Sequence, residues 1–301
     1  MNIFSLIITI IGLALFEVVS SIDNAVINAE VLSTMRPRAR RWFLFWGLLF
    51  AVFVIRGVLP WIIVWFTSPP LDPLGALTAT FSNDPNISSS INASAPVLLI
   101  GGGIFLILLF LHWLFLEDKR FGLPHERFLA GRGIMFYIVS SLFLILLVCM
   151  AFRESILVAV GGMVGAVVFF ITHGLKQMAE QAEESLVKGS RSDVGKIIYL
   201  EIIDAAFSID GVLGAFAFTL SVPLIIIGNG MGAFIVRQLT VGNIERIKRY
   251  VYLKNGAMYS IFFLGCVMCL DAFHVAVPGW VSPLVTFLTI GYFFEKSRRR
   301  L

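Results

Sequence analysis

Apolar positions in this chain fall in long continuous runs, without the alternation of a half-buried strand or the stripe of a surface helix. Nine runs stand out, at about 3–34, 42–66, 96–116, 133–151, 155–173, 196–220, 222–241, 256–275 and 281–294. Several reach the ~18–20 residues an α-helix needs to cross a bilayer. A lipid-exposed span must satisfy its backbone groups internally, which a helix does. The pattern therefore predicts an all-α polytopic membrane helical bundle of about nine transmembrane helices, a single domain over 1–301. Tight turns are expected between runs four and five and between runs six and seven. The stretch 67–95, rich in Ser, Asn and Pro, reads as an irregular external loop. Residues 174–193 (GLKQMAEQAEESLVKGSRSD) read as a cytoplasmic connector carrying a short helix.

Composition sharpens this reading. Only 14% of the residues are charged and mean hydropathy is +0.91, whereas a soluble domain is about a quarter charged. Most of the surface must face lipid. Every Lys and Arg except Arg56 and Arg153 falls after an odd-numbered run: Arg36–Arg41, Lys119–Arg132, Lys176–Lys196, Arg237–Lys254 and Lys296–Arg300. The positive-inside rule then puts the amino terminus outside and the carboxyl terminus in the cytoplasm. The net charge of +4 follows from those loops and calls for no nucleic acid. The first run has no basic leader and contains acids, so it does not read as a cleaved signal. Cys266 and Cys269 have CxxC spacing without a second pair or a histidine to complete a zinc site, and are read as packing residues.

Two runs carry acids where acids are costly. A charge at mid-bilayer costs at least ~2.5–3.5 kcal/mol on insertion scales. Without gaps, Glu17-Val-Val-Ser-Ser21-Ile-Asp23-Asn24 aligns with Asp204-Ala-Ala-Phe-Ser208-Ile-Asp210-Gly211, and the second copy adds Glu201 one turn earlier. By the topology above, the two runs cross in opposite directions, as in inverted repeats that build a substrate site at their interface. Glu17 with Ser21, and Asp204 with Ser208, share a helix face. Six residues turn about 600°, so Asp23 and Asp210 point elsewhere on a straight helix. Either each helix presents two walls, or it unwinds near Ser-Ile-Asp and gathers both carboxylates; local unwinding is the favoured expectation. Arg56 is the one basic residue read as deep in a run, so the remaining acids are expected to be protonated or to hold cations. Carboxylate, hydroxyl, amide and carbonyl oxygens form a hard ligand set suited to Mn²⁺, Mg²⁺ or Ca²⁺.

The motifs SSIDNAVINA and LEIIDAAFSIDGVLGAFAFT resemble those of the TerC family of membrane proteins, named for tellurium resistance, some of which are implicated in manganese export. HWLFLEDKRFG and YVYLKNGAMYS extend the similarity more weakly. The resemblance implies a multi-pass protein of a bacterial inner (plasma) membrane that handles a metal ion. By position it implies Glu17, Asp23, Asn24, Glu201, Asp204 and Asp210 as metal ligands. Ser21, Ser208, Arg56 and His112 are accessory candidates. Arg56 is read as an internal cation that competes for a motif carboxylate, and His112 with Asp118 as a cytoplasmic access point.

The expected function is export of a divalent cation, Mn²⁺ foremost, by proton antiport. The alternatives are an exporter of a small organic solute or oxyanion whose acids serve proton coupling, and a membrane-embedded metal-dependent enzyme. No nucleophile or phosphate motif favours the enzyme. No resident cofactor is expected; the partners are the cargo ion and the lipid bilayer, with homo-oligomerisation left open.

Overall fold

The computed structural model describes residues 3–47, 49–67, 72–78, 85–119, 121–188, 192–242 and 249–300; for some of these, Asp23 among them, only the backbone is described. The described residues form helices and no strand. In chain order these are α1 (Ile3–Ser20), α2 (Ile22–Ser33), α3 (Pro37–Trp42), two π-helical segments (Phe43–Gly47 and Phe50–Val58), α4 (Leu59–Thr67) and α5 (Pro73–Thr78). There follow α6 (Pro85–Leu116), α7 (Pro124–Leu129), α8 (Gly133–Glu154), α9 (Ile156–Lys188), α10 (Asp193–Ala215), α11 (Val222–Gly242), α12 (Leu253–Ala272) and α13 (Val281–Arg298). Each of the nine predicted runs is helical. Five of these helices are long and apolar enough to span a bilayer: α1, the 93–116 part of α6, α8, the 156–178 part of α9, and α12. The protein is an all-α polytopic membrane bundle.

The bundle is built around α6. Its apolar residues are buried almost all round, as expected of a helix with no polar face, and it packs on α9 and α12. Glycines permit that approach. A Cβ on Gly101 would sit 2.8 Å from the Gly161 carbonyl oxygen, and one on Gly161 would sit 2.5 Å from that of Val97. Backbone-to-backbone contact of this kind replaces the hydrophobic drive that lipid does not supply. The opposite case is α8, which buries only Phe136, Ser140, Leu147 and Ala151. Those positions are four or seven apart and form one stripe, leaving the rest of α8 to lipid.

Three predicted features change. The polar segment after run five is a continuation of α9 to Lys188 and not a separate short helix. Between Leu175 and Lys188 it holds no glycine or proline, so nothing local ends the helix there. The latter part of the supposed loop 67–95 is helical from Pro85, which suits the first turn of a helix; residues 68–71 and 79–84 lie outside the described residues. Finally, the motif helices stay wound. The first is interrupted for one residue, at Ser21, and the flanking bonds Ser21 N–H to Glu17 O (3.1 Å) and Ala25 N–H to Ser21 O (2.9 Å) persist. The second runs unbroken through Ser208 and Asp210 and loosens only beyond Ala215. Ser208-Ile-Asp210 thus lies in unbroken helix, and the break at Ser21-Ile-Asp23 is confined to one residue.

The second run is irregular instead. It is π-wound before Pro60, whose ring in an ordinary α-helix would strike the carbonyl four residues earlier, that of Arg56. Short π segments recur at functional sites, and this one carries Arg56.

Candidate functional site

The two motif helices meet in antiparallel register. Phe16 packs against Gly214, Glu17 against Gly211, and Asn24 donates to the Asp204 carboxylate, so residue numbers rise on one helix as they fall on the other. The alignment Glu17 with Asp204 and Asn24 with Gly211 makes the middle and last of these one contact seen from each copy. Where the first copy has an amide donating to a carboxylate, the second has a glycine. A Cβ on Gly211 would lie 2.5 Å from Glu17 Oε2.

Arg56 joins the copies. Its Nη2 is 2.8 Å and its Nε 3.0 Å from Glu17 Oε1, and its Nη1 is 3.4 Å from Asp204 Oδ2. Ser21 Oγ–H donates to Glu17 Oε1 at 2.7 Å, as the shared helix face requires. Its counterpart Ser208 instead bonds the backbone carbonyl of Asp204 at 2.5 Å, because Asn24 and Arg56 already occupy that carboxylate. Glu17 and Arg56 are buried, and burying two opposite charges is tolerated only with such close geometry.

Beside them lies a polar cavity of about 30 Å³, lined by Ser21, Asn24, Asn28, Arg56, Asp204 and Arg237 among others. It has room for a water or an ion of similar size. Asn24 Oδ1, Asn28 Oδ1 and Glu17 Oε2 are buried around this centre without a hydrogen-bond partner. Orphaned buried acceptors of this kind need an explanation, such as an ion or water.

The remaining acids lie elsewhere. Asp210 is turned away from Asp204, as six residues on a wound helix dictate, and pairs with Lys176 Nζ of α9 at 2.5 Å. Both oxygens of Glu201 are buried without a hydrogen bond, against Gly47. Arg237 is within electrostatic range of Glu201 and Asp204. Its guanidinium donates to the Leu44 carbonyl (3.1 Å) and the Phe43 carbonyl, and lies over the Phe43 ring. The expectation that Arg56 alone opposes the acids is thus corrected: Lys176 and Arg237, assigned to loops, reach the interior from helices. The side chain of Asp23 lies outside the described residues. Among those described, the structure brings together Glu17, Ser21, Asn24, Asp204 and Arg56, and leaves Asp210 and Glu201 on separate walls. No group of three or more His, Cys, Asp or Glu among the described residues is spaced to hold a metal.

His112 stands apart from these acids and lies against His173. At the end of the bundle that carries α7, sequence reasoning missed a second polar knot. Buried Glu126 accepts from Leu123 N–H and Asn255 Nδ2, both at 2.7 Å, and Lys254 pairs with Glu117 at 2.6 Å. The Leu-Pro-His-Glu sequence opening α7 carries a helix-start signature that pointed to Glu126; nothing local pointed to Asn255.

The family model described as "Protein of unknown function (DUF475)" matches residues 22–300. That range takes in the whole second motif but starts beyond Glu17 and Ser21. An uncharacterized membrane protein, YceF of Bacillus subtilis (strain 168), is 32% identical over 82 residues, which is 27% of this chain and 32% of that protein. The chain thus spans about a third of that relative's length. No solved structure matches.

Proposed function

The chain belongs to the family described as Protein of unknown function (DUF475), and we propose that this member is a membrane transporter exporting a divalent cation at the crossing of its two motif helices. Mn²⁺ is the favoured cargo, and the resemblance of both motifs to TerC proteins supports that class. Glu17, Asn24 and Asp204 bind the ion, with Ser21 holding Glu17 in place. In this proposal Arg56 takes the ion's place, neutralising both carboxylates when no cargo is bound and withdrawing when it arrives. Asp210 and Glu201 lie on the route to and from this centre, with Lys176 and Arg237 as their internal counter-ions.

The observation that carries the reading is the single guanidinium shared by carboxylates from both copies, beside a small cavity with orphaned acceptors. A hard divalent ion suits those oxygens. Protons compete with a metal for the same carboxylates, which makes proton antiport the natural coupling. The test is transport by purified protein in proteoliposomes, with Mn²⁺, Mg²⁺, Ca²⁺ and Zn²⁺ offered in turn under an imposed pH gradient. Mn²⁺ flux that responds to the gradient and falls to background in Asp204→Asn supports the proposal. Flux of an organic solute or oxyanion with no response to metal would favour the competing exporter.

A further inference from the structure

We propose that His112 and His173 form a second cation site, a two-imidazole site for a borderline transition metal of the Zn²⁺, Ni²⁺, Co²⁺ or Cu²⁺ class. The rings come from α6 and α9, and their centroids are 3.7 Å apart with planes at 49°. Both are half-buried, and neither ring is hydrogen-bonded to a described residue. Two adjacent imidazoles with unengaged nitrogens gain nothing from each other as donors or acceptors, and a shared cation satisfies both.

The surroundings hold the pair in place. Phe136 meets His112 edge-on at 5.6 Å, and Phe169 stacks on His173 at 5.9 Å. Metal–imidazole bonds of about 2.0–2.1 Å require the two rings to spread by roughly an ångström, a side-chain movement for two half-buried residues. The charges facing the pair are Lys176, Lys254, Glu117, Asp210 and Lys119. Lys176 is neutralised by Asp210 and Lys254 by Glu117, while Lys119 lies over the Trp113 ring. Imidazole nitrogen prefers Zn²⁺, Ni²⁺, Co²⁺ and Cu²⁺, whereas the carboxylate centre prefers harder ions. The two sites therefore differ in the metal they select, and this one does not depend on the transport proposal.

The test uses the full chain, untagged and in detergent, with one equivalent of Cu²⁺ as probe. Electron paramagnetic resonance should show nitrogen hyperfine structure from two imidazoles. That structure should be lost in His112→Ala and in His173→Ala, and kept in His125→Ala and in Glu17→Gln. Because the histidine variants can fail to fold, wild-type protein is also treated with diethyl pyrocarbonate with and without Zn²⁺. Mass spectrometry should then find His112 and His173 protected at least tenfold by Zn²⁺, and His274 not. A folded wild type with no two-nitrogen signal and no protection overturns the site, as does a signal that survives either substitution. Loss of Mn²⁺ flux in Glu17→Gln with an intact copper signal separates the two proposals.

Discussion

Replacing Arg56 by Gln tests the charge balance at the centre of the bundle. The guanidinium is 2.8 Å from a Glu17 oxygen and 3.4 Å from an Asp204 oxygen. At an effective dielectric near 20, these distances correspond to about 6 and about 5 kcal/mol of attraction before desolvation is subtracted. Much of that is offset by the loss of hydration of three buried charges. Removing one partner of a buried pair nevertheless costs ~3–5 kcal/mol, because the survivor stays uncompensated. Arg56→Gln should therefore lower the unfolding temperature in detergent by roughly 10 °C. Glu17→Gln alone should be comparably destabilising, since it strands Arg56 on the longer Asp204 contact. The double variant Glu17→Gln/Arg56→Gln should lose much less than the sum, with a coupling of at least ~2 kcal/mol. Mn²⁺ at 100 times its dissociation constant should return about 2.7 kcal/mol to Arg56→Gln. Additive single and double losses, with a coupling below ~0.5 kcal/mol, would refute the shared-guanidinium account.

The other predictions are read with the same melting assay and with transport. Lys176→Met should strand Asp210 and destabilise by ~3–5 kcal/mol, and adding Asp210→Asn should recover most of the loss; no recovery would mean that the 2.5 Å contact is not an ion pair. Gly211→Ala places a methyl 2.5 Å from Glu17 Oε2, on a carboxylate whose other oxygen is held by Arg56 and Ser21. It should cost ~1–3 kcal/mol and reduce Mn²⁺ flux more than Ala205→Gly, which lies away from that contact. Gly161→Ala pushes against the Val97 backbone, which cannot yield as a side chain does. It should destabilise by at least ~1–3 kcal/mol without changing cation selectivity.

Much of this architecture is legible in the sequence, for identifiable reasons. The nine runs are helical because long apolar segments have one way to satisfy their backbone in lipid. The 17-to-21 spacing places Ser21 on Glu17 directly. The six-residue spacing forces Asp210 away from Asp204 once α10 stays wound, and the structure takes that branch where unwinding was favoured. What the sequence conceals is tertiary. Lys176 and Arg237 sit at the edges of apolar runs and count as loop charges until α9 and α11 are seen to carry them inward. Nothing in the sequence around His112 announces His173, 61 residues away, because the two meet only through the packing of α6 on α9. Asn255 likewise reaches Glu126 from a distant helix. The aligned copies make the Glu17–Gly211 and Asn24–Asp204 contacts equivalent, but the register that pairs them is seen only in the structure.

The most direct measurement of whether Arg56 and the cargo compete for Glu17 and Asp204 is Mn²⁺ binding to purified protein, read from loss of the free-ion electron paramagnetic resonance signal. Wild type should bind one ion, Asp204→Asn and Glu17→Gln should bind none detectably, and Arg56→Gln should bind about tenfold or more tightly than wild type. An affinity unchanged by all three substitutions would contradict it.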